Sequence, residues 1–181
     1  MWELKEPNPV KLFVGILAAN RDALDAAVDA IEDNFGEADF LSDVWPFTQT
    51  DYYNDQTGDN IIRQFVSLEK LIDPGRLAEI KNTTNKLEQK LAEKLNAPVP
   101  RPVNLDPGII EHSKLILATT KNYSHRIYIG QKMYAEVTLI YHKGNWRFFD
   151  YTYEDYRKQC YLDFFSKLRA KLCEQIRKLK Q

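Results

Sequence analysis

Between Arg101 and Leu139 the chain places Lys114, Lys121, His125, Arg126 and Glu136 on what read as adjacent β-strands, where strand pairing brings side chains together. A carboxylate beside a histidine orients the imidazole and favours its charged form, which suits a general acid or an anion-binding cation. His125 and Glu136 are therefore the candidate acid/base pair. Lys121, Arg126 and, from a neighbouring strand, Lys114 would add positive charge for a phosphate. An ordinary cross-strand charge pair, contributing on the order of a few tenths of a kcal/mol, is the plainer explanation of the same pattern.

Which groups face each other depends on two turns. Gly130-Gln131 reads as a two-residue hairpin turn with Gly first, which pairs Ile129 with Lys132, Tyr128 with Met133 and His125 with Glu136. Alternation then puts His125, Ile127, Tyr134, Glu136 and Thr138 on one face. Read as a second such turn, Gly144-Asn145 adds Phe149 and Tyr151 to that face. The opposite face receives Arg126, Tyr128, Met133, Ala135, Val137 and Leu139, with Trp146 and Phe148. It is the better core, so His125 and Glu136 are expected on a mixed polar and aromatic surface. A slip of one residue would invert the assignment.

Other chemistries have less support. His112, His125 and His142 lack metal-ligand spacing, and Cys160 and Cys173 form no CxxC, so no metal site is expected. There is no G-x-S-x-G elbow and no G-x-x-x-x-G-K-[ST] phosphate loop. Asp55-Gln56-Thr57-Gly58 and Asn85-Lys86-Leu87-Glu88 approximate other GTPase elements, but the second falls inside a helical stretch, where a guanine-reading loop does not belong. The two cysteines share one helical stretch and cannot meet, which points to a reducing cytoplasm.

The elements that must position these groups follow from periodicity. Pro9–Ala18 is a short apolar run suited to a buried central strand. Asn20 or Asp22 opens a helix with Leu24, Ala27, Val28, Ile31 and Phe35 on one face and Gly36 as its stop. A strand is expected around Ala38–Val44 and another over Ile61–Leu71. Asp73-Pro74 starts a second helix, striped by Leu77, Ile80, Leu87, Leu91 and Leu95, with Thr84 at the one polar gap. The segment Ala97–Pro102 connects, and Ile109–Thr119 reads as the next strand. Thr152, with Asp155 three residues on, reads as the cap of a last helix striped by Tyr156, Cys160, Phe164, Leu168, Leu172, Ile176 and Leu179.

Composition fits this picture. The chain has 181 residues, 44% hydrophobic and 28% charged, enough for one domain with a real core. No apolar run approaches the length of a membrane span. The net charge of −1 is uneven: residues 1–60 carry thirteen Asp and Glu against three Lys and Arg, and residues 61–181 carry thirteen against twenty-two. A nucleic-acid protein would be basic overall, so that partner is not expected. The basic last helix could meet a protein partner, or simply be solvated, with cations favoured near its C-terminus. Trp45–Asn60 is long for a connection without structure, and Asp51, Tyr52 and Tyr53 in it could line a pocket.

Read together, several stretches resemble a prokaryotic family known as domain of unknown function 4416. They are PVKLFVGIL (9–17), PFTQTDYYNDQTGDNIIRQFVSLEKLIDP (46–74), LAEIKNTTNKLE (77–88), RPVNLDPGII (101–110), KLILATTKNYSHRIYIGQKMYAEVTL (114–139) and TYEDY (152–156). The sequence departs from the family pattern at Gln56-Thr57-Gly58, where E-M-G is commoner, and at Glu154, where proline is. The resemblance implies no activity. Its polar motif positions present in this chain are Thr50, Asp51, Tyr52, Arg63, Lys81, Asn85, Asn104, Asp106, Lys114, Lys121, His125, Arg126 and Glu136.

The sequence thus predicts a single α+β domain over residues 1–181, with helices packed on a mainly antiparallel sheet. A βαββαβ unit of ferredoxin-like type spans 10–119, a hairpin extension 120–151 and a C-terminal helix 152–181. The leading functional expectation is a cytosolic protein that binds a small anionic or phosphorylated ligand through Lys114, Lys121, Arg126, Arg63, Asp51 and Tyr52. The alternatives are an enzyme using His125 and Glu136, or an interaction module using the last helix.

Overall fold

The central strand β1 (Val10–Ala18) is buried at every position, as a strand covered on both faces must be. The computed structural model describes residues 2–48, 54–58 and 60–180. After β1, Asn20 caps α1 (Arg21–Phe35) by accepting a hydrogen bond from the Ala23 amide at 2.9 Å, and Gly36, at φ 98°, ends it. There follow β2 (Ala38–Leu41), β3 (Trp45–Pro46), the single turn α2 (Asn54–Thr57) and β4 (Ile62–Ile72). Asp73 caps a short 3-10 turn, with Pro74 at its start, that leads into α3 (Leu77–Leu95). Then come β5 (Val103–Ile110), β6 (Lys114–Thr119), β7 (Ile127–Gly130), β8 (Met133–His142), β9 (Asn145–Phe148) and α4 (Gln159–Leu179).

All nine strands join one antiparallel open sheet in the order β2-β4-β1-β5-β6-β8-β7, with β3 added to β4 and β9 to β8. The even-numbered residues of β1, such as Leu12, Val14 and Ile16, pack with α1 and α3. The odd face is different. Phe13 and Phe65 meet Tyr156, Tyr161, Phe164 and Phe165 in an aromatic layer under α4. That layer ends before Gly15, and beyond it Leu17 packs with Phe47 and Ile61 in a small separate apolar cluster.

Several sequence expectations are corrected. The single strand expected over Ile109–Thr119 is two strands, because Glu111–Ser113 turn the chain and the Glu111 amide donates to the Lys114 carbonyl at 2.9 Å. The strand before that turn starts earlier than Ile109, at Val103, with Pro107 and Gly108 inside it and paired with Val14 and Phe13. Both hairpin turns start elsewhere. Gly130 pairs with Met133, so the turn residues are Gln131 and Lys132, at φ 52° and 64°; His142 pairs with Asn145, so the second turn is Lys143-Gly144. Each turn therefore carries two left-handed residues, one of the two loop geometries that match the twist of the flanking strands. Thr152 does not cap the last helix: its hydroxyl bonds the Thr138 carbonyl, and the helix begins only at Gln159. The buried stripe accordingly runs through Tyr161, Phe164, Phe165, Leu168 and Leu172, while Cys160 and Leu179 are exposed.

Candidate functional site

β5 follows β1 along its whole length but pairs with β6 only over Gly108–Ile110. Beyond that point β6 stays with β8 to Thr119, so the sheet forks. Gly108 sits at the crotch. A Cβ there would lie 2.5 Å from Phe13 Cζ and 2.7 Å from the Ile116 carbonyl oxygen, so only glycine permits the approach. The backbone that β5 turns toward the gap must find partners elsewhere. Helix α3 supplies them: the Leu105 amide donates to Glu88 Oε1 at 2.8 Å, and Lys81 Nζ donates to the Leu105 carbonyl at 2.7 Å.

These buried charges continue into a network along the floor of the gap. Arg101 donates through Nε and Nη2 to Glu88 Oε2 at 3.0 and 2.6 Å, and also to Asn104 Oδ1. Asn104 Nδ2 donates to Asp106 Oδ2 at 2.7 Å, and Lys81 Nζ lies 3.4 Å from Asp106 Oδ1. Burial pushes the Glu88 carboxyl above its ordinary range, against the pull of Lys81 and Arg101. Burial works the same way on Asp106, but there Lys81 and Arg63 outweigh it and hold the carboxyl low.

The second wall is built on β8 and the segment before β7. Glu136, its side chain only 1% exposed, accepts on Oε2 from Arg126 Nε at 2.7 Å and meets His125 Nε2 at 3.2 Å; Thr138 donates to Oε1 at 3.3 Å. Arg126 lies over the Tyr123 ring and donates to the Tyr153 hydroxyl at 2.8 Å. The His125 ring stacks on Tyr151 at 4.2 Å and 9°, and Phe149 stacks behind Tyr151. The segment 149–157 is braced from beneath, since Arg157 donates to the carbonyls of Phe149, Asp150 and Thr152. Burial raises the Tyr151 and Tyr153 hydroxyls, which stay neutral donors at ordinary pH.

At the deep end stands Arg63 from β4, 5% exposed, with Nη2 bonded to Asp155 Oδ2 at 3.1 Å and the rings of Phe47, Phe65 and Tyr156 around it. Burial raises the Asp155 carboxyl despite this partner. Together the floor, the walls and Arg63 enclose a cleft of about 830 Å³.

Of the expected site residues, Arg63, Lys121, His125, Arg126 and Glu136 line this cleft, with Lys81, Asn85, Asn104 and Asp106. Lys114 does not: it lies at the other end of β6, 3.1 Å from Glu111. Asp51 and Tyr52 fall outside the described residues. The shifted turn together with a bulge between Tyr128 and Gly130 places Arg126, not His125, level with Glu136; His125 reaches the same carboxylate from the loop before β7. Glu136 is buried rather than on a surface, on the same face of β8 as Thr138. Sequence reasoning missed Glu88, Arg101, Tyr153 and the role of Asp155. The tyrosine-rich run 151–156 was the available signal for the last two.

A more apolar cavity of about 620 Å³ lies near the C-terminal half of α4, lined by Pro7, Val10, Leu172 and Ile176 among others, and holds none of the expected residues. Among the described residues no cluster of three or more His, Cys, Asp or Glu could hold a metal ion, and no helix is long and apolar enough to cross a membrane. On α4, Arg169 donates to the His112 carbonyl while Lys171 and Lys178 pair with Glu69 and Glu174, so part of its basic surface is internally engaged.

Fold and site define an α+β protein whose antiparallel sheet forks around a charged cleft. The chain belongs to the family described as Domain of unknown function (DUF4416), whose model matches residues 8–172. No curated protein and no solved structure matches it.

Proposed function

We propose that the fork is the binding site of a small ligand bearing an anionic group, a phosphate or a carboxylate, in a cytosolic protein. The observation that carries this reading is the assembly of buried charge around an open cleft instead of an apolar core. Lys81, Glu88, Arg63, Asp155, Arg126 and Glu136 come from distant parts of the chain. Each pair costs desolvation that apolar residues would not incur. Such arrangements, with carboxyls pushed from their ordinary values, cluster at functional sites. The volume suits a metabolite-sized ligand. His125 and Lys121 also line the cleft, with Tyr123, Tyr151 and Tyr153 beside them. The order β2-β4-β1-β5, with α1 and α3 on the crossovers, supports reading the first half as ferredoxin-like.

A thermal-shift screen against phosphorylated and carboxylated metabolites tests the proposal. A ligand at a hundred times its dissociation constant adds about 2.7 kcal/mol, or roughly 5–10 °C for a chain of this size. The expected result is such a shift, reduced in His125→Ala. A panel without any shift, or one insensitive to His125 and Lys121 substitutions, would overturn it.

The 3.2 Å contact of His125 with Glu136 favours a second reading, an acid/base enzyme. Arg126 occupies the same carboxylate oxygen, so Glu136 would orient the imidazole and His125 would be the group that exchanges the proton. Turnover of a bound ligand, lost in His125→Gln with binding retained, would support it; binding without turnover leaves the first reading alone.

A further inference from the structure

Arg63 is under-satisfied for a buried cation. A guanidinium has five N–H donors, and burying its charge is costly unless they find acceptors. Among the described residues Arg63 makes one hydrogen bond, to Asp155 at 3.1 Å; its Nε and Nη1 have no acceptor. The buried hydroxyl of Tyr156 is equally without a partner. The rings around Arg63 attract a cation diffusely but offer no directed acceptor. A planar carboxylate or a phosphate would fill what is missing, because either can take two parallel N–H bonds where Asp155 takes one.

Asp155 is placed to yield. It occupies a one-turn 3-10 helix, Asp155–Arg157, in the segment that also presents Tyr151 and Tyr153 to the cleft. It touches Arg63 through a single oxygen at a distance long for a charge-assisted bond.

Resting on the binding reading above, we propose that Asp155 is an internal stand-in for the ligand's anionic group. The incoming carboxylate or phosphate takes two teeth of the Arg63 fork, with the hydroxyl of Tyr156 donating to it, and Asp155 swings toward the cleft. Arg63 is then the specificity-determining residue, and Asp155 a competitor within the chain that sets the affinity.

The test measures binding of inorganic phosphate and of acetate by titration calorimetry to the wild type, Asp155→Asn, Arg63→Lys and His125→Ala. Removing the competing charge should tighten binding of at least one anion five- to tenfold in Asp155→Asn, while Arg63→Lys, which keeps the charge but loses the fork, should weaken it at least tenfold. Unchanged or weaker binding in Asp155→Asn, with wild-type binding still sensitive to His125→Ala, would overturn the stand-in and leave the binding reading in place. No binding of either anion to wild type or Asp155→Asn would overturn both. Should Asp155→Asn fail to fold, the Arg63 Nε–H resonance of the wild type decides: it should shift on adding the anion, and a shift of the His125 ring without it would refute the proposal.

Discussion

Gly108→Ala tests the geometry of the fork without touching a charge. The added methyl would sit 2.5 Å from Phe13 Cζ and 2.7 Å from the Ile116 carbonyl oxygen, against ordinary contacts of 3.4–4 Å. Phe13 belongs to the packed aromatic layer, and Ile116 O is backbone, so neither yields cheaply. Overpacking of this kind costs about 1–3 kcal/mol, and rigid neighbours put it near the upper end. Restricting the unfolded chain returns about 0.4–1 kcal/mol, leaving a net loss of about 2 kcal/mol. At roughly 2–4 °C per kcal/mol for this length, Tm should fall by roughly 4–8 °C in calorimetry. Because β5 and β6 pair only over Gly108–Ile110, the damage should concentrate there, with faster amide exchange in β6 than in β1. A Tm within about 1 °C of wild type, or exchange raised evenly over the sheet, would refute the account of Gly108 as the crotch.

Other substitutions follow from the same contacts. Arg126→Met leaves the Glu136 carboxylate buried beside His125 and Thr138, and should cost about 3–5 kcal/mol, largely recovered in the double variant with Glu136→Gln; a denaturation cycle without coupling would contradict this. Burial raises the Glu88 carboxyl, so the folded chain keeps that proton to higher pH than the unfolded chain does. The contribution is fully present below the ordinary value of 4.5 and is lost as pH rises through the folded value. Glu88→Gln should therefore gain on the wild type as pH climbs through that window, and a difference independent of pH would be evidence against it. Gly15→Ala would bring a methyl within 2.9 Å of Arg63 Nη1 and should weaken phosphate binding, with only about 1–2 kcal/mol of lost stability; unchanged affinity would mean Arg63 is not the recognition group.

Local patterns made the core legible. The unbroken apolar run of β1, the Asn20 and Asp73 caps and the leucine stripe of α3 each rest on contacts within a few residues. Errors arose where one residue decides a register. Gly130 and Gly144 both signalled turns, but each turn is displaced by one residue, and a bulge between Tyr128 and Gly130 that has no local signal completes the exchange of His125 for Arg126 opposite Glu136. Strand β5 around Pro107-Gly108 was given no element, because a close crossing of two strands leaves no periodic trace. His125, Arg126 and Glu136 were legible as a group because they lie on one hairpin. Their meeting with Arg63, Lys81 and Asp155 was not, since it depends on where the sheet divides.

The most direct measurement is an amide and side-chain NMR map of the labelled protein titrated with pooled phosphorylated and carboxylated metabolites. The account predicts at least one pool that moves resonances of Ala118–Arg126, Asp150–Arg157 and Arg63, and leaves those of Val10, Leu172 and Ile176 still. Shifts confined to the apolar cavity beside α4, or no shift from any pool, would contradict it.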